Sequence, residues 1–215
     1  MESVTKQEAA FIDVIKGRRS VRHYDASVKI PDEELKEILT EATLAPSGAN
    51  LQPWRFIVFT DPAIKQQLLP IANNQQQVVD ASAVIAVLGD LESHKQAEQI
   101  YSASVEAGYM TPEVKETLVG HITAGFAGMD GHARKNGVMI DCGLVSMQLM
   151  LAAKARGYDT VAMGGYDAAQ FVETFQIPER YVPVILIAVG KASQTGHPTV
   201  RLPLDDVVLW NGMAQ

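Results

Sequence analysis

Arg18-Arg19-Ser20-Val21-Arg22 places three guanidinium groups and a hydroxyl within five residues of an acidic chain. Clustered guanidinium groups offer paired N–H donors that match phosphate oxygens; a solvated basic turn paired with surface carboxylates would look the same. Ala45 to Trp54 (APSGANLQPW) is a second candidate. Its small residues let backbone approach a ligand, Ser47, Asn50 and Gln52 add polar groups, and Pro46 and Pro53 stiffen it. An ordinary helix-to-strand connection has a similar make-up. Asn73 to Gln77 (NNQQQ) lines up consecutive amides, Asn74 and Gln77 among them, that can read the donor and acceptor edge of a heterocycle or simply form a polar loop. In Ala162-Met163-Gly164-Gly165-Tyr166-Asp167 a Gly-Gly turn frees backbone N–H groups to face a ligand atom, or merely joins a strand to a helix capped by Asp167. Arg201, in Val200-Arg201-Leu202-Pro203, stands alone in an irregular tail.

Other chemistries find less support. The five histidines are scattered without metal-ligand spacing, and no His/Asp or Ser/His arrangement suggests a side-chain acid, base or nucleophile. The single cysteine, Cys142, excludes an internal disulfide or a CxxC motif and reads as a core residue. No Gly-x-Gly-x-x-Gly follows a strand, so no separate dinucleotide-binding domain is expected. The net charge of −7 argues against nucleic-acid and anionic-membrane surfaces. Met1 to Ala10 is polar and unlike a secretory signal, and a reducing cytoplasm suits the cysteine usage.

The elements that must carry these segments are legible from periodicity. Thr5 to Glu8 fits a capping box, followed by an apolar stripe at Phe11, Val14 and Ile15 with Gly17 to close the helix. Leu35, Ile38, Leu39 and Ala42 continue a second helix from Pro31-Asp32, which Pro46 ends. Strands are expected at Trp54 to Thr60, Ala83 to Leu88, Thr160 to Met163 and Val182 to Val189. Helices are expected after Asp61-Pro62 to about Leu69, over Ser93 to Ala107, from Thr111 to Gly120, and from Asp167 to Phe175. Gly120, Gly125, Gly128, Gly131 and Gly137 punctuate the next, mobile stretch, and Gly125, Gly128 and Gly131 read as a helix breaker. Val138 to Arg156 reads as a long helix, apolar nearly all round, that needs partners on every side and hints at a dimer. Asp141, Ser146 and Gln148 within it favour a core helix over a membrane span. One α+β domain over residues 1–215, with four or five strands and no linker or repeat, fits this pattern.

Taken in order, the segments resemble the nitroreductase family from about Phe11 to Val208. Arg-x-Ser-x-Arg, Ala-Pro-Ser-x-x-Asn-x-Gln-Pro-Trp, the Asn before Asp80-Ala81 and a strand, Gly-Gly-Tyr-Asp, and Arg-x-Pro carry the resemblance. The Pro-Ser…Gln-Pro-Trp loop is the most specific of them. The resemblance implies a central mixed, mostly antiparallel sheet flanked by helices, in an intertwined homodimer whose tails (about 194–215) wrap the partner. It implies FMN at the interface, touched by both chains. Arg18, Ser20 and Arg22 then match phosphate and pyrimidine contacts, with Arg19 in the same cluster, and Arg201 matches a phosphate contact. Asn74 matches the amide that reads the flavin edge, with Gln77 beside it. Pro46, Ser47, Gly48 and Asn50 match the loop laid on the flavin by the partner. Met163, Gly164 and Gly165 match the turn whose N–H faces flavin N5. This chain departs from many members at Ala162 and Gly164, where proline and glutamate are common. It also has Thr199 where some carry a lysine, and Lys191 is a candidate to supply that charge. The implied activity is ping-pong hydride transfer from NAD(P)H to a nitroaromatic, quinone or similar acceptor, with no side-chain acid or base. Residues about 93–137 are the expected lid, with Tyr101, Tyr109, Phe126 or Met129 either lining the pocket or packing the lid. A flavin-handling protein without such turnover, and an anion- or partner-binding module, are the rival readings.

Overall fold

The structure is a computed structural model that describes residues 11–213. The Thr5–Glu8 capping box lies outside the described residues. The stripe that follows it forms α1 (Phe11–Gly17), and α2 (Asp32–Ala42) follows with Leu35, Ile38 and Ala42 buried, three positions on one helical face. After the Pro46–Asn50 loop come β1 (Trp54–Phe59), α3 (Pro62–Ile71), the single turn α4 (Gln77–Asp80) and β2 (Ala83–Asp90). The Asp61 side chain caps α3 by accepting from the N–H of Ala63 and Ile64, with Pro62 at the first helical position.

The four strands of the sheet lie in the order β1-β2-β4-β3, where β3 is Asp159–Met163 and β4 is Tyr181–Gly190. Every neighbouring pair is antiparallel. The parallel component of the expected mixed sheet is one isolated bridge, Ser20 to Thr160. β2 is buried along its whole length, so its apolar run lacks polar alternation because both faces are covered. Ala83, Ile85 and Val87 face α2 and the long helix α7 (Gly131–Ala155). Val84, Ala86 and Leu88 face the layer that includes Leu68 and Ile71 of α3 and Phe171 of α8 (Ala168–Thr174).

α7 crosses β2 at Gly89, where a Cβ would stand 2.2 Å from Val138 Cγ1. No side chain fits there, so this glycine sets the depth at which α7 seats on the sheet.

Between β2 and α7 lie α5 (Ala97–Glu106) and α6 (Pro112–Ala127). The helical break falls at Gly128, the C-cap of α6, just before α7 starts at Gly131, whereas α6 runs through Gly120 and Gly125 and α7 contains Gly137. Interior glycine costs about 1 kcal/mol against alanine, which the capping of each helix offsets in part. Thr111 Oγ1 accepts from Val114 N–H, and Asp130 Oδ1 accepts from the N–H groups of His132 and Ala133. By length and composition α7 could cross a bilayer. It instead buries Val138, Cys142, Val145, Ser146, Leu149 and Ala153 against the sheet layer.

Candidate functional site

Three of the five segments singled out above meet along the β3 side of the sheet. Val21 N–H donates to Thr160 O at 3.1 Å, so the arginine corner is stitched to the start of β3. The chain after β4 closes over it from the other side: Ser193 N–H donates to His23 O, and Asp25 N–H to Lys191 O. Gly196 packs so tightly there that a Cβ would stand 2.6 Å from Arg19 Cβ and 3.0 Å from Ser20 O. Arg18, Arg19 and Ser20 are half-buried, and Arg22 is exposed. Arg19 spends Nη1 on the carbonyls of Lys16 (2.6 Å) and Arg18 (2.8 Å), which braces the end of α1. The Arg18 and Arg22 guanidinium groups are involved in no ion pair among the described residues.

At the other end of β3, four residues on, stand Gly164 and Gly165, both exposed. At about 3.4 Å of rise per residue the two ends are roughly 14 Å apart. A Cβ at Gly164 would meet nothing within 4 Å, so protein packing leaves space open in front of this turn. Met163 beside it is buried.

The amide run docks onto the same turn. Asn73 Nδ2 and Gln75 Nε2 both donate to Gly165 O, at 2.8 and 3.1 Å, and Asp167 N–H donates to Ile71 O at 2.9 Å. Gln77, buried, donates through Nε2 to Gln75 Oε1 and toward Met163 Sδ. Asn73 and Asn74 adopt left-handed backbone, φ 56° and 53°, a conformation that asparagine tolerates better than most residues. Asn74 is exposed, and its backbone N–H is anchored on Leu69 O.

Lys65, with 1% exposure, holds this run from below. Its Nζ donates to Ala81 O at 2.6 Å and Val79 O at 3.1 Å, carbonyls that the single turn α4 leaves without helical partners. Burial holds its ammonium below the usual lysine range. The sequence reading missed this residue, although Lys65, Leu68 and Ile71 share a helical face and so signal a buried position.

The Pro46–Asn50 loop lies elsewhere in the chain. Ala49, Asn50 and Gln52 have φ of 49°, 52° and 47°, three non-glycine residues in left-handed backbone. Such strain persists only where surroundings over-determine it. Asp141 of α7 accepts from Gly48 N–H through both carboxylate oxygens at 3.2 Å, Ser47 Oγ accepts from Gln52 N–H, and Tyr101 Oη donates to Ala49 O. Burial raises the Asp141 carboxyl above its ordinary value, and the Gly48 N–H pulls it back in part. Pro46 borders an open groove of about 690 Å³, lined by Phe11, Leu44, Leu144, Met147 and Leu151 among others. Leu44 is 76% exposed and Phe11 67%, so this side of α7 carries a continuous uncovered apolar surface.

Among the described residues, Lys191 and Arg201 make no side-chain bond to the arginine corner. Lys191 Nζ donates to Gly157 O at 3.1 Å, just past the C-terminus of α7, where a cation suits the helix dipole. Arg201 is exposed and, among the described residues, donates only to its neighbour's carbonyl, Val200 O. Between β2 and the middle of α7, His94 stacks on Phe126, ring centroids 4.7 Å apart, and the Arg134 guanidinium lies 5.8 Å from the same ring. Cys142 is fully buried, and burial pushes its thiol up to about 12, which suits a core residue. Among the described residues no group of three or more His, Cys, Asp or Glu side chains could hold a metal ion.

Comparison with known proteins bears on the family. Residues 15–191 match the model of the Nitroreductase family. A Bacillus subtilis protein provisionally named an NAD(P)H nitroreductase, YdgI, is 50% identical over 202 residues, covering 93% of this chain and 97% of its own. The CLA biosynthesis enone reductase of Lactiplantibacillus plantarum is 38% identical over 192 residues, covering 88% of each. The crystal structure of a provisionally named nitroreductase from Exiguobacterium sibiricum, solved in complex with FMN, superposes with a TM-score of 0.92 at 49% identity. It covers 96% of this chain and 100% of that one. With the α+β sheet, the arginine corner and the glycine turn all in place, the chain belongs to the nitroreductase family.

Proposed function

We propose that the protein is an FMN-dependent oxidoreductase that takes hydride from NAD(P)H and passes it, by a ping-pong cycle, to a nitroaromatic, quinone or similar oxidised acceptor. The observation that carries this reading is the rim along β3, with cationic groups at one end, a glycine turn facing open space at the other, and amides beside the turn. Relatives named as NAD(P)H nitroreductases and an enone reductase, and a neighbour crystallised with FMN, support it.

The residues present fit such a cofactor. Arg18, Ser20 and Arg22 offer charge-assisted and hydroxyl hydrogen bonds to a phosphate, with the remaining N–H groups of Arg19 within the same corner. Lys191 adds positive charge nearby. Exposed Asn74 offers an amide donor and acceptor to the pyrimidine edge, Gln77, buried with its Nε2 turned to Gln75 and Met163, braces the run from behind, and Met163, Gly164 and Gly165 set backbone N–H groups against the ring. FMN bound there supplies the two-electron chemistry between the nicotinamide and the acceptor. The chain binds and orients the ring, leaves one face open, and places guanidinium charge where electron density accumulates. No side chain has to donate or remove a proton.

A second copy completes the site in this reading. The Pro46, Ser47, Gly48 and Asn50 loop of one chain reaches the cofactor of the other, the apolar groove along α7 becomes the dimer core, and Arg201 arrives on the tail of either chain. The strained but well-anchored loop beside that uncovered groove supports this arrangement. A soluble, cytoplasmic homodimer is the assembly proposed.

The test is steady-state kinetics of the purified protein with NADH or NADPH against a quinone and a nitroaromatic. Parallel double-reciprocal lines and a yellow protein are expected. Yellow protein without turnover would point to a flavin-handling protein, and colourless protein unmoved by added FMN would remove the flavin reading.

A further inference from the structure

The loop that starts at Pro46 keeps an unusual backbone as far as Gln52: Ala49, Asn50 and Gln52 are all left-handed and none is glycine. That conformation is disfavoured once a Cβ is present, so groups outside the loop must hold its shape. Asp141 of α7 accepts from Gly48 N–H, and Tyr101 of α5 donates to Ala49 O, which ties the front of the loop to two helices. The far end is tied to the sheet. Arg55 of β1 donates through Nη1 to Gln52 O at 3.1 Å and to Trp54 O at 2.6 Å. Its Nη2 donates to Asp90 Oδ2, at the end of β2, at 3.2 Å.

Asp90 is fully buried. Arg180 engages both of its oxygens, Nε on Oδ1 at 3.1 Å and Nη2 on Oδ2 at 2.6 Å. Glu92 N–H donates to Oδ1 at 2.9 Å and Gln96 Nε2 to Oδ2 at 3.3 Å. The carboxylate therefore keeps a charged partner whether or not Arg55 is present. The dependence runs the other way. The Arg55 side chain is 34% exposed, and the buried anion fixes its orientation, since attraction is stronger there than in water. A planar guanidinium held by one nitrogen has its other nitrogen placed as well, and here that nitrogen meets the Gln52 carbonyl.

We propose that Arg55 is a positioning residue for the shared site: anchored on Asp90, it holds the Gln52 end of the loop in the shape that one chain presents to the cofactor of the other. Arg55 itself touches neither flavin nor acceptor in this assignment. It acts through the Gln52 carbonyl, and the defect of an Arg55 variant falls on the partner's cofactor and not on that of its own chain. The assignment rests on the proposed flavin site built from two chains.

The experiment is FMN titration, followed by quenching of flavin fluorescence, of Arg55→Met and of a mixed dimer. The mixed dimer, purified through two different tags, pairs an Arg55→Met chain with a chain carrying Arg18→Ala and Arg22→Ala. Arg55→Met alone is expected to bind FMN about tenfold more weakly, the worth of one hydrogen bond from a charged donor. In the mixed dimer one site joins the intact arginine corner of the first chain to the intact loop of the second, and the other site carries both defects. One FMN per dimer at wild-type affinity is therefore expected, a recovery that a merely destabilised chain does not show. Should Arg55→Met fold poorly, Arg55→Lys is the second probe; it keeps a cation for Asp90 but has no second nitrogen for Gln52 O, and the same pattern is expected. Two equally weakened sites in the mixed dimer, or wild-type affinity in the Arg55 variants, would overturn the proposal. A colourless wild type, or a yellow wild-type monomer, would instead sink the shared-site reading on which it rests.

Discussion

The side-chain amide of Asn73 donates to the carbonyl of Gly165 at 2.8 Å, across 92 residues of sequence. This bond joins the left-handed turn that precedes α4 to the glycine turn that ends β3, and so fixes the distance between the two groups proposed to face the flavin ring. The site therefore depends on a contact that is not itself made to the ligand.

Asn73→Ala should loosen FMN binding by roughly tenfold or more. Alanine loses a hydrogen bond worth about 1 kcal/mol and pays about 1–2 kcal/mol for left-handed backbone. Asn73→Gly keeps the backbone and loses only the bond, so its defect should be the smaller. Quenching of flavin fluorescence on titration measures both, and equal affinity in wild type and Asn73→Ala would refute the coupling.

Arg18→Ala and Arg201→Ala should each weaken FMN retention by about 10- to 100-fold, the range of a hydrogen bond to a charged group. The loss should grow smaller at high salt, where screening already blunts the guanidinium charge. Unchanged flavin content in both variants would argue against the phosphate assignment.

Protonation of His94 should oppose folding. Desolvation first, then the charges of Arg134 and Lys95, hold its imidazolium form below the ordinary value of 6.5, against the opposite pull of Glu92 and Asp90. With the folded value depressed, the unfolded chain binds more protons in the window just below 6.5, so stability rises with pH through that window and levels off above it. His94→Phe keeps a ring on Phe126 and removes the titration. Thermal unfolding across pH 5–7 should show a flatter slope in this variant, and an unchanged slope would exclude His94 as its source.

Much of this was legible in the sequence, and the misses have physical causes. Strand β2 could be placed from its unbroken apolar run because both of its faces are covered, and α3 from Asp61 and Pro62 because capping is local. The arginine corner, the amide run and the glycine turn were visible as residue types. Their convergence was not, because the Val21–Thr160 and Asn73–Gly165 bonds join residues far apart in the chain. The interior glycines of α6 and α7 misled, since an exposed glycine weakens a helix by only about 1 kcal/mol and good caps at Thr111 and Asp130 counteract it. Lys65 and Asp90 were passed over because a charge on a buried face carries no local sign of the partners that stabilise it.

Charging the open face of α7 should separate the chains. Leu144→Glu with Met147→Glu places two carboxylates on the apolar groove while leaving the residues that α7 packs on the sheet untouched. The double variant should be folded by circular dichroism, monomeric and free of FMN. A yellow monomer would contradict the shared site.

The central claim is that two chains jointly hold one flavin nucleotide at each site, and sedimentation velocity recorded at the visible flavin band tests it most directly. The account predicts that all bound flavin sediments with a dimer at every dilution where colour is retained, and that flavin is released as monomer appears. Visible absorbance travelling with a stable monomer, or a dimer that carries none after incubation with FMN, would contradict it.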